Sequence, residues 1–240
     1  MTLDKYGFPI EGGVFTTAKT INGSVIALNR HMRRVLKSAM ELGIEIRSEE
    51  EIRLEIVELL HSQPFSVGRL RLCFFNGGHL FTHTEYEEVT APVRVTFSSE
   101  TMDLTNAGHK LFPYDKRLEI RQSAQNEAFE DAIIFNWQNE VTETSTSNLI
   151  FLINEDWVTP PLTAGVLPGV IRGIAIEECG VKVAKLHITD IPQVRAAFLT
   201  SSLKIALPIS HIGDYKLEIG APSQNLEAQI RAKALPESVS

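Results

Sequence analysis

Several side chains in the sequence could bind an anion or act as a base. The segment from Gly165 to Arg172 reads GVLPGVIR, which predicts that a helix begins near Pro168 and Gly169. The N–H groups of Val170 and Ile171 would then have no partner inside the helix and could hold a phosphate. Taken alone, this pattern is weak evidence for a site, because many helices begin with proline and bind nothing.

Other side chains fit a chemical role but also a plain structural one. Lys110 lies in a predicted joint between two domains, a common place for ligand pockets, although most linker lysines are only solvated charges. Ser201 and Ser202 follow an apolar strand and could either reach an anion or cap a loop. Glu143 follows a strand and could be a surface carboxylate in a turn. Arg34 lies off the apolar face of its predicted helix, which favours exposure to solvent.

Length, composition and charge exclude several classes of protein. The 240 residues include 23 basic and 30 acidic residues, for a net charge of −7, and 43% are hydrophobic. These are ordinary values for a globular protein, and the acidic balance argues against nucleic-acid and anionic-membrane partners. No apolar run approaches the ~20 residues of a membrane span, and the N-terminus lacks a signal core. We therefore expect a cytoplasmic protein.

No metal site is expected from the sequence. His79 and His83 have an H-x-x-x-H spacing, but they lie on a predicted hairpin strand and no third ligand follows. Cys73 and Cys179 lie far apart in apolar stretches, which predicts two buried, reduced thiols. The sequence also lacks the glycine-rich nucleotide-binding patterns and the G-x-S-x-G pattern of serine hydrolases.

The order of the predicted elements favours an α+β protein with two domains, because strands and helices are mixed without strict β-α-β alternation. The domain boundary is placed in the polar segment Thr101–His109, which gives domains of residues 1–105 and 106–240. The predicted elements are, in chain order, strands Val14–Ile21 and Ser24–Leu28 joined by an Asn22-Gly23 turn, a helix over Arg30–Leu42, a helix from a Ser48/Glu51 capping box to Ser62, strands Val67–Phe75, Leu80–Tyr86 and Val93–Ser98, a helix over Lys116–Gln125, strands Ala132–Phe135, Asn148–Leu152 and Trp157–Thr159, a helix from Pro168-Gly169 to Gly180, strands Val181–Ile188 and Ala196–Thr200, and a helix over Ser223–Ala234 with a serine cap.

The succession of four segments says more than any one of them. The chain reads DAIIFN from Asp131, VTETSTSNLIF from Val141, TPP from Thr159 and GVLPGVIR from Gly165. This order and spacing resembles the fold-type IV enzymes that depend on pyridoxal 5'-phosphate (PLP), the class IV aminotransferase family. Its members include branched-chain and D-amino-acid aminotransferases and aminodeoxychorismate lyase. The resemblance runs nearly end to end and implies a two-domain α+β fold like that of D-amino-acid aminotransferase, with PLP at the domain interface.

The resemblance also implies a role for each candidate residue. Lys110 matches the lysine that forms the Schiff base with PLP, and Tyr114 matches the tyrosine at the phenolic oxygen of the cofactor. Glu143 matches the carboxylate that faces the pyridine nitrogen and keeps it protonated. The residues expected at the cofactor phosphate are Arg34, Val170, Ile171, Ser201 and Ser202.

Within this family the leading hypothesis is an aminodeoxychorismate lyase, which makes 4-aminobenzoate and pyruvate for folate synthesis. The Phe15–Lys19 run, FTTAK, replaces an acidic pattern found in many of the aminotransferases, and no arginine–histidine carboxylate trap is recognisable. Lys110 would be the catalytic base.

Two alternatives stay open. One is a PLP-dependent aminotransferase of the same fold that acts on branched-chain or D-amino acids. The other is a non-catalytic homologue that binds PLP, which the intact set of Lys110, Glu143 and Arg34 disfavours. The resemblance further implies a homodimer with a small-molecule substrate.

Overall fold

The computed structural model describes residues 1–102, 105 and 107–239, and it confirms the predicted mixture of helices and strands. The strands are β1 (Gly13–Ile21), β2 (Ser24–Ile26), β3 (Val67–Phe75), β4 (Gly78–Glu85), β5 (Val93–Thr101), β6 (Leu111–Phe112), β7 (Asp131–Phe135), β8 (Val141–Thr144), β9 (Asn148–Ile153), β10 (Asp156–Thr159), β11 (Lys182–Val183), β12 (Ala196–Ser201), β13 (Ile205–Ile212), β14 (Tyr215–Lys216) and β15 (Pro236–Glu237). The helices are α1 (Leu28–Glu41), α2 (Glu49–Ser62), α3 (Asp115–Asn126), α4 (Val170–Glu178) and α5 (Ala221–Lys233).

The described residues form two compact units, each assembled from separate stretches of chain. The first unit contains residues 1–88, 109–115 and 235–239, and the second contains the described residues of 89–108 together with 116–234. Strand β5, which the sequence analysis assigns to the first domain, instead pairs with β7 and β13 in the sheet of the second unit. Asn106, which helps to place the predicted joint, lies outside the described residues. The predicted domain boundary at residues 105 and 106 stays a prediction, because residues 103, 104 and 106 lie outside the described part of the chain.

In the first unit, the strands follow the order β15-β2-β1-β3-β4, with β6 also paired to β1. The predicted hairpin is confirmed, since Ile21 pairs with Ser24 across the turn. Asn22 and Gly23 have φ angles of 47° and 81°, the left-handed values that a type I′ turn requires. The Ser48/Glu51 capping box is also confirmed at the start of α2.

The two faces of this first sheet have different surroundings. One face packs against α1 and α2 in a core that includes Val14, Ala18, Leu70 and Met32. Alternate residues of a strand point to opposite faces. In the β1–β3 register Thr17 stands opposite Arg71, so the second face carries polar and charged side chains.

In the second unit, the strands follow the order β11-β10-β9-β12-β13-β5-β7-β8, with β14 paired to β13. Strands β9 and β12 run antiparallel with Asn148 opposite Thr200, so the start of β9 and the end of β12 lie side by side. The core of this unit includes Leu149, Phe151 and Leu199, which are fully buried.

Several predicted details are wrong. The strand expected over Val181–Ile188 is only Lys182–Val183, because it is an edge strand whose one partner, β10, is itself short. The final helix begins at Ala221 with Gly220 as its N-cap, and Ser223 is buried inside the helix rather than capping it. Pro222 explains the earlier start, since its fixed φ suits the first turn.

The remaining sequence-based expectations concern cysteines, metals and membranes. Cys73 is buried and free, and burial raises the pKa of its thiol to about 12, whereas Cys179 is partly exposed, contrary to expectation. Within the described residues, no group of three or more His, Cys, Asp or Glu side chains could hold a metal ion. None of the helices in the described ranges is long and apolar enough to cross a membrane.

Candidate active site

Lys110 lies in a group of side chains of the first unit that we call the lysine cluster: Phe15, Thr16, His31, Arg34, Lys110 and Tyr114. The backbone positions this lysine, because the N–H of Phe15 donates to the carbonyl oxygen of Lys110 at 2.9 Å where β6 meets β1. Lys110 Nζ lies 4.7 Å from the ring centroid of Phe15 and 4.8 Å from that of Tyr114. It also donates to the hydroxyl of Tyr114 at 3.4 Å. The amine is therefore held against two aromatic faces, which attract a cation.

Arg34 is directed towards β1 and is only partly exposed, which corrects its assignment to solvent on helical spacing alone. Its Nη2 donates to Thr16 Oγ1 at 3.0 Å. The same hydroxyl lies 2.6 Å from His31 Nδ1, and both Thr16 and His31 are buried. One threonine hydroxyl thus links an arginine and a histidine of α1 to the first sheet.

The environment of His31 favours its neutral form. Burial lowers the pKa of His31 well below its usual value, and the positive charges of Arg34 and Lys110 lower it further. Arg34 can only donate, so Thr16 accepts from it, and a neutral imidazole can accept the hydroxyl proton of Thr16 through Nδ1. The lysine cluster therefore presents two cations beside an uncharged imidazole, a combination suited to binding an anion.

Glu143 lies in a second group, in the second unit, that we call the carboxylate cluster: Arg117, Glu143, Asn148 and Leu167. The residue is 3% exposed, so the interpretation as a surface carboxylate is wrong. Glu143 Oε1 lies 2.9 Å from Nη2 of Arg117. Oε2 accepts from Asn148 Nδ2 at 2.8 Å and from the N–H of Leu167 at 3.1 Å. Both oxygens of this buried carboxylate are therefore satisfied, and its direction is fixed.

A second buried carboxylate, that of Asp131, holds the turn that follows Glu143. Its Oδ1 accepts from Ser145 Oγ at 2.6 Å. Its Oδ2 accepts from Thr144 Oγ1 at 2.8 Å and from Thr146 Oγ1 at 3.0 Å. The hydroxyl-rich TETSTS segment thus folds around one aspartate, which explains the residue types that the sequence places after β8.

The start of α4 is joined to the carboxylate cluster through Asn148. Besides bonding Glu143, Asn148 Nδ2 donates to the carbonyl oxygen of Leu167 at 3.0 Å. Gly169 is the N-cap of α4, and a Cβ atom there would lie 1.8 Å from Asn148 Oδ1. A side chain at position 169 would therefore have to displace Asn148, although the φ of −67° at Gly169 is ordinary.

The structure places the remaining phosphate candidates in the second unit. Helix α4 begins at Val170, so the N–H groups of Val170 and Ile171 belong to its first turn. The side chains of both residues are buried. Ser201 ends β12 and Ser202 follows it, both partly exposed. Ser201 Oγ accepts from the N–H of Lys204 at 3.2 Å.

Arg71 is a candidate that the sequence analysis misses. Its Nε is the one buried side-chain nitrogen or oxygen without a hydrogen-bond partner among the residues that the structure describes. The guanidinium lies 4.1 Å from the ring centroid of Phe8, and Phe8 packs against Phe15 and Tyr114. Burial lowers the pKa of Arg71. The alternation of Arg69 and Arg71 with leucines was the available signal, since it puts both cations on one face of β3.

Comparisons with known proteins identify the family. The model of the amino-transferase class IV family matches residues 13–212. The chain belongs to this family. It is 24% identical to a D-alanine aminotransferase of Bacillus licheniformis, covering 98% of this chain and 92% of that protein. It is 29% identical to an aminodeoxychorismate lyase of Vibrio harveyi, but the match covers 52% of this chain and 48% of the lyase.

The fold is likewise that of class IV enzymes. A solved structure from Legionella pneumophila, provisionally assigned as a 4-amino-4-deoxychorismate lyase, has a TM-score of 0.85 at 23% identity and covers 94% of this chain and 91% of its own. Enzymes of this family use PLP, so the chain is a PLP-dependent enzyme. The side chains present fit that cofactor chemically. They include an amine among aromatic rings, a partly buried guanidinium, hydroxyls, a helix start and a fixed carboxylate.

The contact between Gly169 and Asn148 gives a prediction for Gly169→Ala. The added methyl group would displace the Asn148 side chain, so we expect the free energy of unfolding to fall by about 1–3 kcal/mol and PLP retention to weaken. Chemical denaturation and the visible absorbance after gel filtration would measure the two effects.

Gly220→Ala is the matched control for this variant. Gly220 is also a helix N-cap, but a Cβ atom there meets nothing within 4 Å. Equal effects of the two substitutions would mean that loss of the N-cap glycine, and not the displacement of Asn148, causes the change.

Proposed function

We propose that this class IV enzyme is a 4-amino-4-deoxychorismate lyase, which forms 4-aminobenzoate and pyruvate. The observation that carries the proposal is the location of the Phe15-Thr16 pair, part of the run that differs from many aminotransferases. Phe15 lies against the amine of Lys110, and Thr16 accepts a hydrogen bond from Arg34. Phe15, one of the residues that set this sequence apart, is therefore a neighbour of the proposed catalytic lysine, and Thr16 is a neighbour of a proposed phosphate ligand.

The proposed cofactor contacts follow the chemistry of each side chain. PLP supplies, when bound, an electron-withdrawing ring that stabilises negative charge at the Cα of an amine substrate. Lys110 would hold it covalently, Tyr114 would bond its phenolic oxygen, and Glu143 would face its ring nitrogen. The residues proposed at the phosphate are Arg34, Val170, Ile171, Ser201 and Ser202.

Lys110 is the proposed base. Its free Nζ would take the Cα proton of the substrate. The bond between the ring carbon and the oxygen of the side arm would then break and the ring would become aromatic. The proton taken by Lys110 would pass to the methylene carbon of the departing enolpyruvate, which leaves as pyruvate. The two products together contain all the atoms of the substrate, so no amino acceptor is consumed.

Arg71 is the proposed partner of a substrate carboxylate. Aminodeoxychorismate carries two carboxylates, and a guanidinium with an unused donor is suited to bind one. The Phe8 ring joins Arg71 to the aromatic side chains around Lys110. An arginine in this position therefore favours a substrate that carries a negative charge.

An aminotransferase is the second candidate. The D-alanine aminotransferase of Bacillus licheniformis aligns with 98% of this chain, which is more than the Vibrio harveyi lyase does. A homodimeric assembly and a cytoplasmic location, which the sequence resemblance and composition suggest, also stay predictions.

The assignment of Lys110 leads to a labelling prediction. The purified protein should be yellow, and borohydride should fix the cofactor on a peptide that contains Lys110. Peptide mass spectrometry checks this, with Lys110→Ala as the unlabelled control. Label on Lys116, which is exposed on α3, would contradict the assignment.

The reaction itself separates lyase from aminotransferase. We expect pyruvate and 4-aminobenzoate from aminodeoxychorismate without any added 2-oxo acid, because the elimination is complete within the substrate. Chromatography of the two products measures this. Rapid conversion of the cofactor to its pyridoxamine form by D-alanine, leucine or glutamate, without pyruvate from aminodeoxychorismate, would favour the aminotransferase.

The proposed role of Arg71 predicts a change in substrate affinity. Arg71→Gln should raise the KM for aminodeoxychorismate by about tenfold or more, since one charge-assisted hydrogen bond contributes roughly 1.5–3 kcal/mol. Arg69→Gln is the matched control, because Arg69 lies on the same face of the same strand and bonds Thr84. If both variants raise the KM equally, the general positive charge of this face accounts for the effect.

A further inference from the structure

Arg117 makes the charged contact of Glu143, and none of the proposed roles uses it. Its Nη2 lies 2.9 Å from Glu143 Oε1, and the two side chains are 25% and 4% exposed. Arg117 comes from the first turns of α3, and Glu143 comes from β8, so the pair joins two elements of the second unit. Nη1 of Arg117 also lies 3.4 Å from the carbonyl oxygens of Thr144 and Ser145, the two residues after Glu143.

The two oxygens of Glu143 are therefore held in different ways. Oε2 accepts from two neutral donors, Asn148 and Leu167, which fix its direction without changing the charge. Oε1 faces a guanidinium, which compensates the buried negative charge. A buried carboxylate that loses its counter-charge tends to take up a proton, because burying the neutral acid costs less free energy than burying the anion.

Arg172 is a second cation close enough to influence Glu143, but it makes other bonds. Burial lowers the pKa of Arg172, and the negative charge of Glu143 partly opposes this effect. Its Nε donates to Thr159 Oγ1 at 3.2 Å and its Nη2 to the Pro160 carbonyl oxygen at 2.7 Å. Arg117 is therefore the cation that pairs directly with the carboxylate.

We propose that Arg117 is a positioning residue. It keeps Glu143 ionised and holds the carboxylate in the direction in which it would contact the ring nitrogen of the cofactor. This inference rests on the proposed role of Glu143 at the ring nitrogen. A carboxylate can keep that nitrogen protonated, whereas a neutral carboxylic acid cannot. In this proposal the effect of Arg117 on the cofactor passes through Glu143, so its removal should change PLP binding little when Glu143 is absent.

A double-mutant cycle tests the proposal with Arg117→Gln, Glu143→Gln and the double variant. The readouts are the dissociation constant of PLP, from fluorescence quenching on reconstitution, and the pH dependence of the visible absorbance. In the protein that retains Glu143, we expect Arg117→Gln to weaken PLP binding about tenfold and to make the visible absorbance depend on pH more strongly than in the parent protein. In the Glu143→Gln background, the same substitution should change PLP binding less than about twofold.

Two further variants control for folding. Arg121→Gln removes an arginine one turn later on α3, where it pairs with Glu130 at 2.6 Å, and it should leave the absorbance titration of the parent protein unchanged. Arg117→Lys keeps a positive charge and should restore most of the PLP affinity. If Arg117→Gln does not fold, Arg117→Lys takes its place in the double-mutant cycle. We then expect a smaller loss of PLP affinity, which again disappears in the variant that also carries Glu143→Gln.

The outcomes separate this inference from the proposed function. Equal weakening by Arg117→Gln in both backgrounds, with an unchanged absorbance titration, would show a merely structural arginine and overturn the inference alone. If Glu143→Gln itself leaves PLP affinity and the spectrum unchanged, the proposed role of Glu143 is wrong, and the role of Arg117 is overturned with it.

Discussion

The satisfaction of buried carboxylates is the constraint on which the second unit depends. Glu143 is nearly inaccessible to water, so its two oxygens must find donors within the protein. The donors come from α3, from the start of β9 and from the segment before α4, so this one side chain ties three parts of the chain together. Asp131 does the same for the turn between β8 and β9. The direction of the Glu143 carboxylate is thus set by hydrogen bonds that its burial makes necessary.

In the first unit, basic side chains lie close together instead of buried carboxylates. Lys110 and Arg34 both lower the pKa of the same buried imidazole, that of His31, so two basic side chains lie near one buried residue. The ring of Phe15 contacts the amine of Lys110, and the hydroxyl of Thr16 contacts both Arg34 and His31. This concentration of basic side chains favours the binding of an anion, because positive charges in a poorly solvated place attract a negative charge strongly.

Local signals in the sequence predicted local structure well. The Asn22-Gly23 turn, the Ser48 capping box and the helix after Gly169 each depend on residues a few positions apart, and all are present. The errors concern pairings between distant segments. No local pattern shows that β5 joins the second sheet. The sequence analysis does not predict β13, a strand that contains Pro208, and proline is unusual inside a sheet. The family resemblance named Glu143, but the pairing with Arg117 joins residues 26 positions apart.

The last strand has a consequence for how the protein is made. Strand β15 pairs with β2, the Ala27 N–H bonds the Leu235 carbonyl oxygen, and Val239 enters the core beneath α1 and α2. The first unit therefore takes its edge from residues that the ribosome adds more than a hundred positions after its other strands. The second unit lacks this dependence, since its segments are complete by residue 234. During synthesis the amino-terminal sheet therefore gains this edge strand only after residues 235–239 have left the exit tunnel.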